Sequence, residues 1–233
     1  MPCTLPASLA DAAVCRGSFH AVLGGEVEDT AFADFSAALQ KEQAEGRILT
    51  ASLFRYENHL FFYAEGLNRP FTPQGLCPAL DAALLPWPPA LGEAAPRPWA
   101  AMQPYFYHDV PTTAADWQQG RCPQRRRGRI ALLPPDSWCS YMEHHLRIVT
   151  EGLVEGDRWH LICVQEGVLF SYLEEPRTNV NIKHRPGAHS PELDAWIAAD
   201  PESHFARFTP EQKAHPDSGH NFVFLPRIAG TED

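Results

Sequence analysis

No run of about 20 apolar residues occurs in this chain, so no transmembrane helix is expected. Positive charge is scarce. Lys and Arg number 19 against 29 Asp and Glu, giving a formal net charge of −10 over 233 residues. That sign argues against a broad nucleic-acid surface, whose affinity comes from neutralising phosphates. The six cysteines, at positions 3, 15, 77, 122, 139 and 163, show no Cys-x-x-Cys spacing and fit reduced thiols better than a disulfide framework. The opening Met1-Pro2-Cys3-Thr4-Leu5-Pro6 lacks the basic start and apolar core of a secretory signal, and a cytoplasmic location is expected. The chain also lacks a Gly-x-Ser-x-Gly elbow, a phosphate-cradling Gly-rich loop and a His-Glu-x-x-His motif. Neither a serine hydrolase nor a nucleotide binder is indicated, and no metal or other cofactor is expected.

What is present is a repeat. Glu57, Leu60, Phe61, Tyr63 and Glu65 recur in order as Glu166, Leu169, Phe170, Tyr172 and Glu174. Farther on, Pro78, Leu80, Asp81 and Ala82 are echoed by Pro191, Leu193, Asp194 and Ala195. One structural unit has been duplicated, in a chain whose 44% hydrophobic content can bury an ordinary core.

Each copy predicts strand, helix, strand, strand, helix, strand. In copy one, 18–23 is a short apolar run, and Glu28-Asp29-Thr30 supplies acidic and capping residues for a helix. Phe32, Phe35 and Leu39 fall on one face of that helix, which Gly46 ends. Strands 48–56 and 60–63 flank a Glu57-Asn58 turn, a second helix runs over 78–85, and Tyr105-Phe106-Tyr107 closes the copy as a strand. Copy two predicts strand 130–133, helix 137–155, hairpin 159–164 and 168–173, a helix near 191–199 and strand 221–225. This is the split βαββαβ order of a ferredoxin-like unit, in which two helices cover one face of an antiparallel sheet.

The expected fold is therefore α+β: two tandem ferredoxin-like units packed sheet to sheet as a pseudo-dimeric barrel. The expected divisions are an N-terminal arm (1–16), repeat one (17–109), an Arg-rich linker (110–128), repeat two (129–228) and a C-terminal tail (229–233). The basic cluster at the linker, Arg121, Arg125, Arg126, Arg127 and Arg129 beside Gly120, Pro123 and Gly128, reads as a solvated charge run.

Aligning Glu45-Gly46 with Glu155-Gly156 sets Tyr141 opposite Ala31 and His145 opposite Phe35. The first copy has packing groups where the second places a phenol and an imidazole, four residues apart on one helical face. A buried, internally satisfied pair is the structural reading. The functional one is an acid–base site, since a histidine exchanges protons near neutral pH.

Tyr141-Met142-Glu143-His144-His145 resembles the Tyr-x-x-x-His motif of the L-rhamnose mutarotase family, within the dimeric α+β barrel superfamily. The hairpin 163–174, Ala198-Ala199-Asp200-Pro201, and Pro216-Asp217 followed by Phe222–Leu225 are similar to that family's central hairpin, late loop and ending. The family's Trp-Pro-Glu is represented here by Val149, Thr150 and Glu151, and its late tryptophan falls near Phe205 or Ala206. The resemblance implies interconversion of the anomers of a reducing sugar, with His145 moving the proton and Tyr141 bonding a sugar oxygen. Phe205, Tyr172 and His204 are then the expected substrate contacts. A small-molecule sugar is the implied partner, with an internal pseudo-dimer and self-association left open. Two other classes stay open: a non-catalytic ligand-binding or regulatory relative, and a cofactor-poor oxygenase or haem-handling protein on the same fold.

Overall fold

The computed structural model describes residues 5–177, 183–213 and 218–231. In chain order the strands are β1 (Val14–Leu23), β2 (Ile48–Tyr56), β3 (His59–Leu67), β4 (Leu84–Leu85), β5 (Ala100–Ala101), β6 (Gln103–Tyr107) and β7 (Arg125–Leu132). They continue as β8 (Val154–Glu155), β9 (Leu161–Gln165), β10 (Val168–Glu175), β11 (Lys183–His184), β12 (Val223–Leu225) and β13 (Arg227–Gly230). The helices are α1 (Asp29–Ala44), α2 (Pro78–Ala82), α3 (Ala114–Gln118), α4 (Pro135–Glu151) and α5 (Pro191–Ala198). The architecture is α+β with antiparallel sheets. No helix among the described residues is long and apolar enough to cross a membrane.

Two compact units divide the chain. Unit 1 comprises Met1–Met102, Pro111–Pro123 and Pro226–Asp233. Its sheet runs β13-β2-β3-β1-β4, with β5 also pairing β1. The hairpin of β2 and β3 turns where Glu57 takes φ 53°. Alternation along β3 sends Leu60, Phe62 and Ala64 into the core beside Phe32, Phe35 and Leu39 of α1. The opposite face of β3 carries Phe61, Tyr63 and Glu65, which are buried as well.

Unit 2 comprises Gln103–Val110 and Gln124–Leu225. Its main sheet runs β12-β7-β10-β9-β6, and β8 pairs separately with β11. The β9–β10 turn has Glu166 at φ 50° and Gly167 at φ 78°, the left-handed pair that a tight hairpin needs. Helix α4 begins with Pro135 in its first turn and stops at Gly152, which caps it in the left-handed region at φ 67°. It therefore ends short of the 155 expected from the sequence.

The repeat now has a physical meaning. In unit 1 the Tyr63 hydroxyl donates to Glu65 Oε1 at 2.6 Å, and Arg121 grips the Glu65 carboxylate with two bonds of 2.7 and 3.0 Å. In unit 2 the Tyr172 hydroxyl donates to Glu174 Oε1 at 2.6 Å, with Arg126 3.6 Å away. Glu65 and Glu174 are both buried. Burial pushes the Glu65 carboxyl up, but the charge and hydrogen bonds of Arg121 outweigh it and hold the group below its ordinary range.

Three stretches lie differently from the expectation. Residues 105–107, read as the last strand of repeat one, belong to β6 and pair with β9 in unit 2. Residues 227–230, read as the end of repeat two and the start of the tail, form β13 and pair with β2 in unit 1. The segment read as a solvated linker is mostly structure: α3 lies in unit 1 with Thr113 capping it, and 125–129 opens β7 within the unit 2 sheet. Its charges look solvated in sequence because their partners are distant. Arg127 bonds Glu175 at 3.0 Å, 48 residues farther on.

Candidate functional site

Unit 2 contains a cavity of about 350 Å³ beneath α4 and α5, within the size range of small-molecule sites, roughly 300–1,000 Å³. Tyr141 and His145, one turn apart on α4, both border it and are both buried. The His145 Nδ1 lies 2.9 Å from the Tyr141 carbonyl oxygen. A carbonyl only accepts, so Nδ1 carries the hydrogen and the neutral ring keeps its lone pair on Nε2. Burial drives the His145 pKa down to about 4. The ring is packed by Tyr141 (centroids 4.2 Å apart), Phe106 (4.7 Å) and Trp196 (4.7 Å). This surround explains the neutral form: the apolar rings do not replace the water an imidazolium would lose.

Tyr141 faces Tyr105, with ring centroids 6.0 Å apart. Burial pushes the Tyr141 phenol up to about 12 and that of Tyr105 well above its ordinary value, so both stay protonated at neutral pH. Neither phenol serves as a base there.

Arg129, on β7, also borders the cavity. Its guanidinium carbon sits 4.3 Å from the centroid of Phe222. Burial lowers its pKa to about 10, with the charge of Arg177 adding to the effect, so the group remains a cation at neutral pH. Its Nε has no hydrogen-bond partner among the described residues. Glu202, which also borders the cavity, acts on it through space and keeps its negative charge while accepting a hydrogen bond from the Asn221 amide. Arg177, also on the cavity lining, pairs with buried Asp157 at 3.4 Å. Arg129 thus has no carboxylate at ion-pair distance among the described residues, and the nearest negative charge acting on it, Glu202, shares the cavity.

The two copies differ in what occupies the space beneath their first helices. Matching the two hairpins through their cross-strand partners sets Arg129, opposite Ser171, against Phe19, opposite Phe62. In unit 1, Phe62 packs on Phe35 at 5.7 Å and on Phe19 at 6.3 Å. In unit 2 the corresponding cross-strand pair is Arg129 and Ser171, on the sheet that α4 covers with His145. Rings that fill unit 1 are replaced by smaller or polar groups in unit 2.

Among the expected substrate contacts, Phe205 borders the cavity and packs on Tyr141 at 5.1 Å. His204 packs against Trp196 and bonds Ser140 at 3.3 Å, outside the lining. Tyr172 is committed to Glu174 and is absent from the lining, so the cavity does not bring it to the site. Pro216 and Asp217 lie outside the described residues. Sequence reasoning missed Arg129, Trp196, Phe106 and His108 as site residues. Copy comparison carries the signal for two of them, since Trp196 stands opposite Ala83 as Arg129 stands opposite Phe19. Phe106 was assigned to the wrong repeat. Among the described residues, no three His, Cys, Asp or Glu side chains come together as a metal-ligand set.

No protein-family model matches the chain, and no curated protein matches it in sequence. Solved structures do match over nearly the full length. A candidate monooxygenase from Lactobacillus acidophilus NCFM is 7% identical, with 94% of this chain and 96% of that one covered at a TM-score of 0.40. A second, from Fusobacterium nucleatum subsp. nucleatum ATCC 25586, is 11% identical over 94% of each chain, with a TM-score of 0.41. An anthrone oxidase-like protein is 6% identical, covering 93% and 95%, with a TM-score of 0.36. Likeness at this level assigns no activity.

Proposed function

We propose that unit 2 is an acid–base site acting on a small, flat, acidic organic molecule, a phenol or an enolisable ring ketone, and that it serves as an oxygenase. The observation that carries this reading is the pairing, in one cavity, of neutral His145 with the cation Arg129, which has no direct ion-pair partner among the described residues. His145 Nε2 takes a proton from the substrate. The electron pair left behind is delocalised onto the substrate oxygen, which Arg129 holds as an oxyanion and Tyr141 steadies with its hydroxyl. Trp196, Phe106 and Phe205 supply aromatic walls for a flat ring. The electron-rich carbon then reduces dioxygen directly. One oxygen atom stays on that carbon as a carbonyl and the other leaves as water. A ring methylene, of the ketone or of the phenol's keto tautomer, is thereby oxidised by four electrons, dioxygen is reduced by four, and both methylene hydrogens depart in the water.

A second reading is sugar mutarotation, favoured by the joint placement of Tyr141 and His145 in the cavity with an indole beside them. A neutral reducing sugar would use the Arg129 guanidinium only as a hydrogen-bond donor and not for its charge. Oxygen uptake with a panel of phenols and enolisable ring ketones separates the two. Uptake above the buffer rate, lost in His145→Ala and in Arg129→Met, is expected. No uptake, together with accelerated exchange between the anomer signals of a reducing sugar by NMR, would replace this reading with mutarotation. Binding without either reaction would make the protein a ligand-binding relative.

A further inference from the structure

A second cavity of about 200 Å³ lies in the same unit, lined by Tyr107, Val110, Ile148, Val149, Val154 and Arg185 together with His108 and Gly152. His108 is common to both cavities. We infer that the His108 ring is the partition between them and sets the length of ligand that the site accepts. The inference rests on the reading of the larger cavity as a ligand site.

Two observations support the partition. The ring is held edge-on against Phe106, with centroids 4.8 Å apart, so it stands beside the wall that packs His145. It also occupies space that only a glycine leaves free. A Cβ at Gly156 would collide with three ring atoms of His108. Gly156 has no unusual backbone conformation that would call for glycine, so its missing side chain serves to seat the imidazole. A ring held this closely, just past the end of β6, closes that side of the larger cavity by its bulk.

The chemistry of the smaller cavity says what would enter if the ring moved. Valine and isoleucine side chains make much of its wall, and Arg185 is the arginine on it. It suits an aliphatic chain that ends in a carboxylate. The protein as it stands should accept a compact ring compound and reject one bearing such a chain. His108 is thus a specificity residue whose action is steric: it neither takes a proton nor touches the reacting carbon.

The test is a binding series by isothermal calorimetry on the full chain. The probes are a hydroxynaphthalene and its derivatives bearing ω-carboxyalkyl chains of increasing length. The wild-type protein should bind the parent compound and lose at least about tenfold in affinity with the longest chain, the loss that a steric block of roughly 1.4 kcal/mol produces. His108→Ala should abolish that loss, while His108→Phe, which keeps a ring of similar size, should retain it. Gly156→Ala, which must displace the ring, should also shift the length profile and keeps the test available if His108→Ala does not fold. An unchanged length profile in either of these two variants overturns the partition. If the parent compound binds and the profile does not move, only this inference fails; if the parent compound does not bind the wild-type protein, the ligand-site reading fails with it.

Discussion

His145 is neutral because the rings around it exclude water, and that neutrality has a measurable consequence for stability. Its folded-state pKa of about 4 lies below the ordinary 6.5, so the unfolded chain binds this proton first as pH falls. The associated stability is complete above about pH 6.5 and is lost as pH drops toward 4, on the order of 3 kcal/mol for a shift of this size. His108 carries a similar burial-driven depression, to about 4. Urea titrations at about pH 7 and about pH 4.5 should therefore show marked acid destabilisation, and His145→Phe, which copies Phe35 of the other unit, should reduce it. The activity proposed for the site should likewise lack the usual histidine limb near pH 6.5 and fall only toward pH 4. Arg129 makes the opposite kind of prediction. A charge-assisted bond to an oxyanion contributes roughly 1.5–3 kcal/mol, so Arg129→Met should weaken binding of a phenolate by about 10- to 100-fold. The same change removes a buried cation with no ion-pair partner among the described residues, and stability should hold or rise. Calorimetry with a phenolic ligand, beside a thermal melt, checks both halves.

The hairpins β2–β3 and β9–β10 show how one device can be read from sequence and still be misunderstood. Their shared Tyr-x-Glu was visible as a repeat, and alternation along each strand sends tyrosine and glutamate to the same face. The reason for the repeat was not visible, because the arginine partners come from segments far away in the chain. Arg121 lies in a stretch whose glycines and prolines suggest a loop, yet it is buried against Glu65. Removing it strands a buried carboxylate, so Arg121→Ala should cost about 3–5 kcal/mol, measured by chemical denaturation. Tyr172→Phe removes one hydrogen bond to Glu174. It should cost about 1–3 kcal/mol while leaving ligand binding alone, since the ring is no part of the cavity wall. The helix faces were legible but their ends were not: 84–85 and 154–155, read as helix, form β4 and β8, and α3 was read as linker. Helical periodicity is local, and Phe32, Phe35 and Leu39 declare their face within a few turns. Strands declare an alternation but not a partner, which is why 105–107 could be found as a strand and assigned to the wrong repeat.

At the scale of the whole chain, two similar hairpins stand in unequal surroundings. Unit 1 fills the space beneath its first helix with Phe19, Phe35 and Phe62; unit 2 puts Arg129, His145 and Ser171 at the matching places. The division into units does not follow the order of the chain, since β6 serves unit 2 and β13 serves unit 1. Deleting 226–231 should then weaken a sheet built almost wholly from the first half of the sequence. The deletion removes the ladder to β2, the Arg227 bond to Ser52 at 3.0 Å and the Thr231 bond to the Ala51 amide at 3.2 Å. Hydrogen exchange should quicken first at the β2 amides, ahead of those in β9 and β10. Spacing along the chain was enough to specify the α+β class, the two similar hairpins and the pair Tyr141 and His145 on one helix, because periodicity and repetition are local properties. Which edge strand completes which sheet, and which arginines find a carboxylate partner, were settled only in three dimensions. Those outcomes depend on side chains that meet across tens of residues, where burial and the presence or absence of an opposite charge set what each group can do.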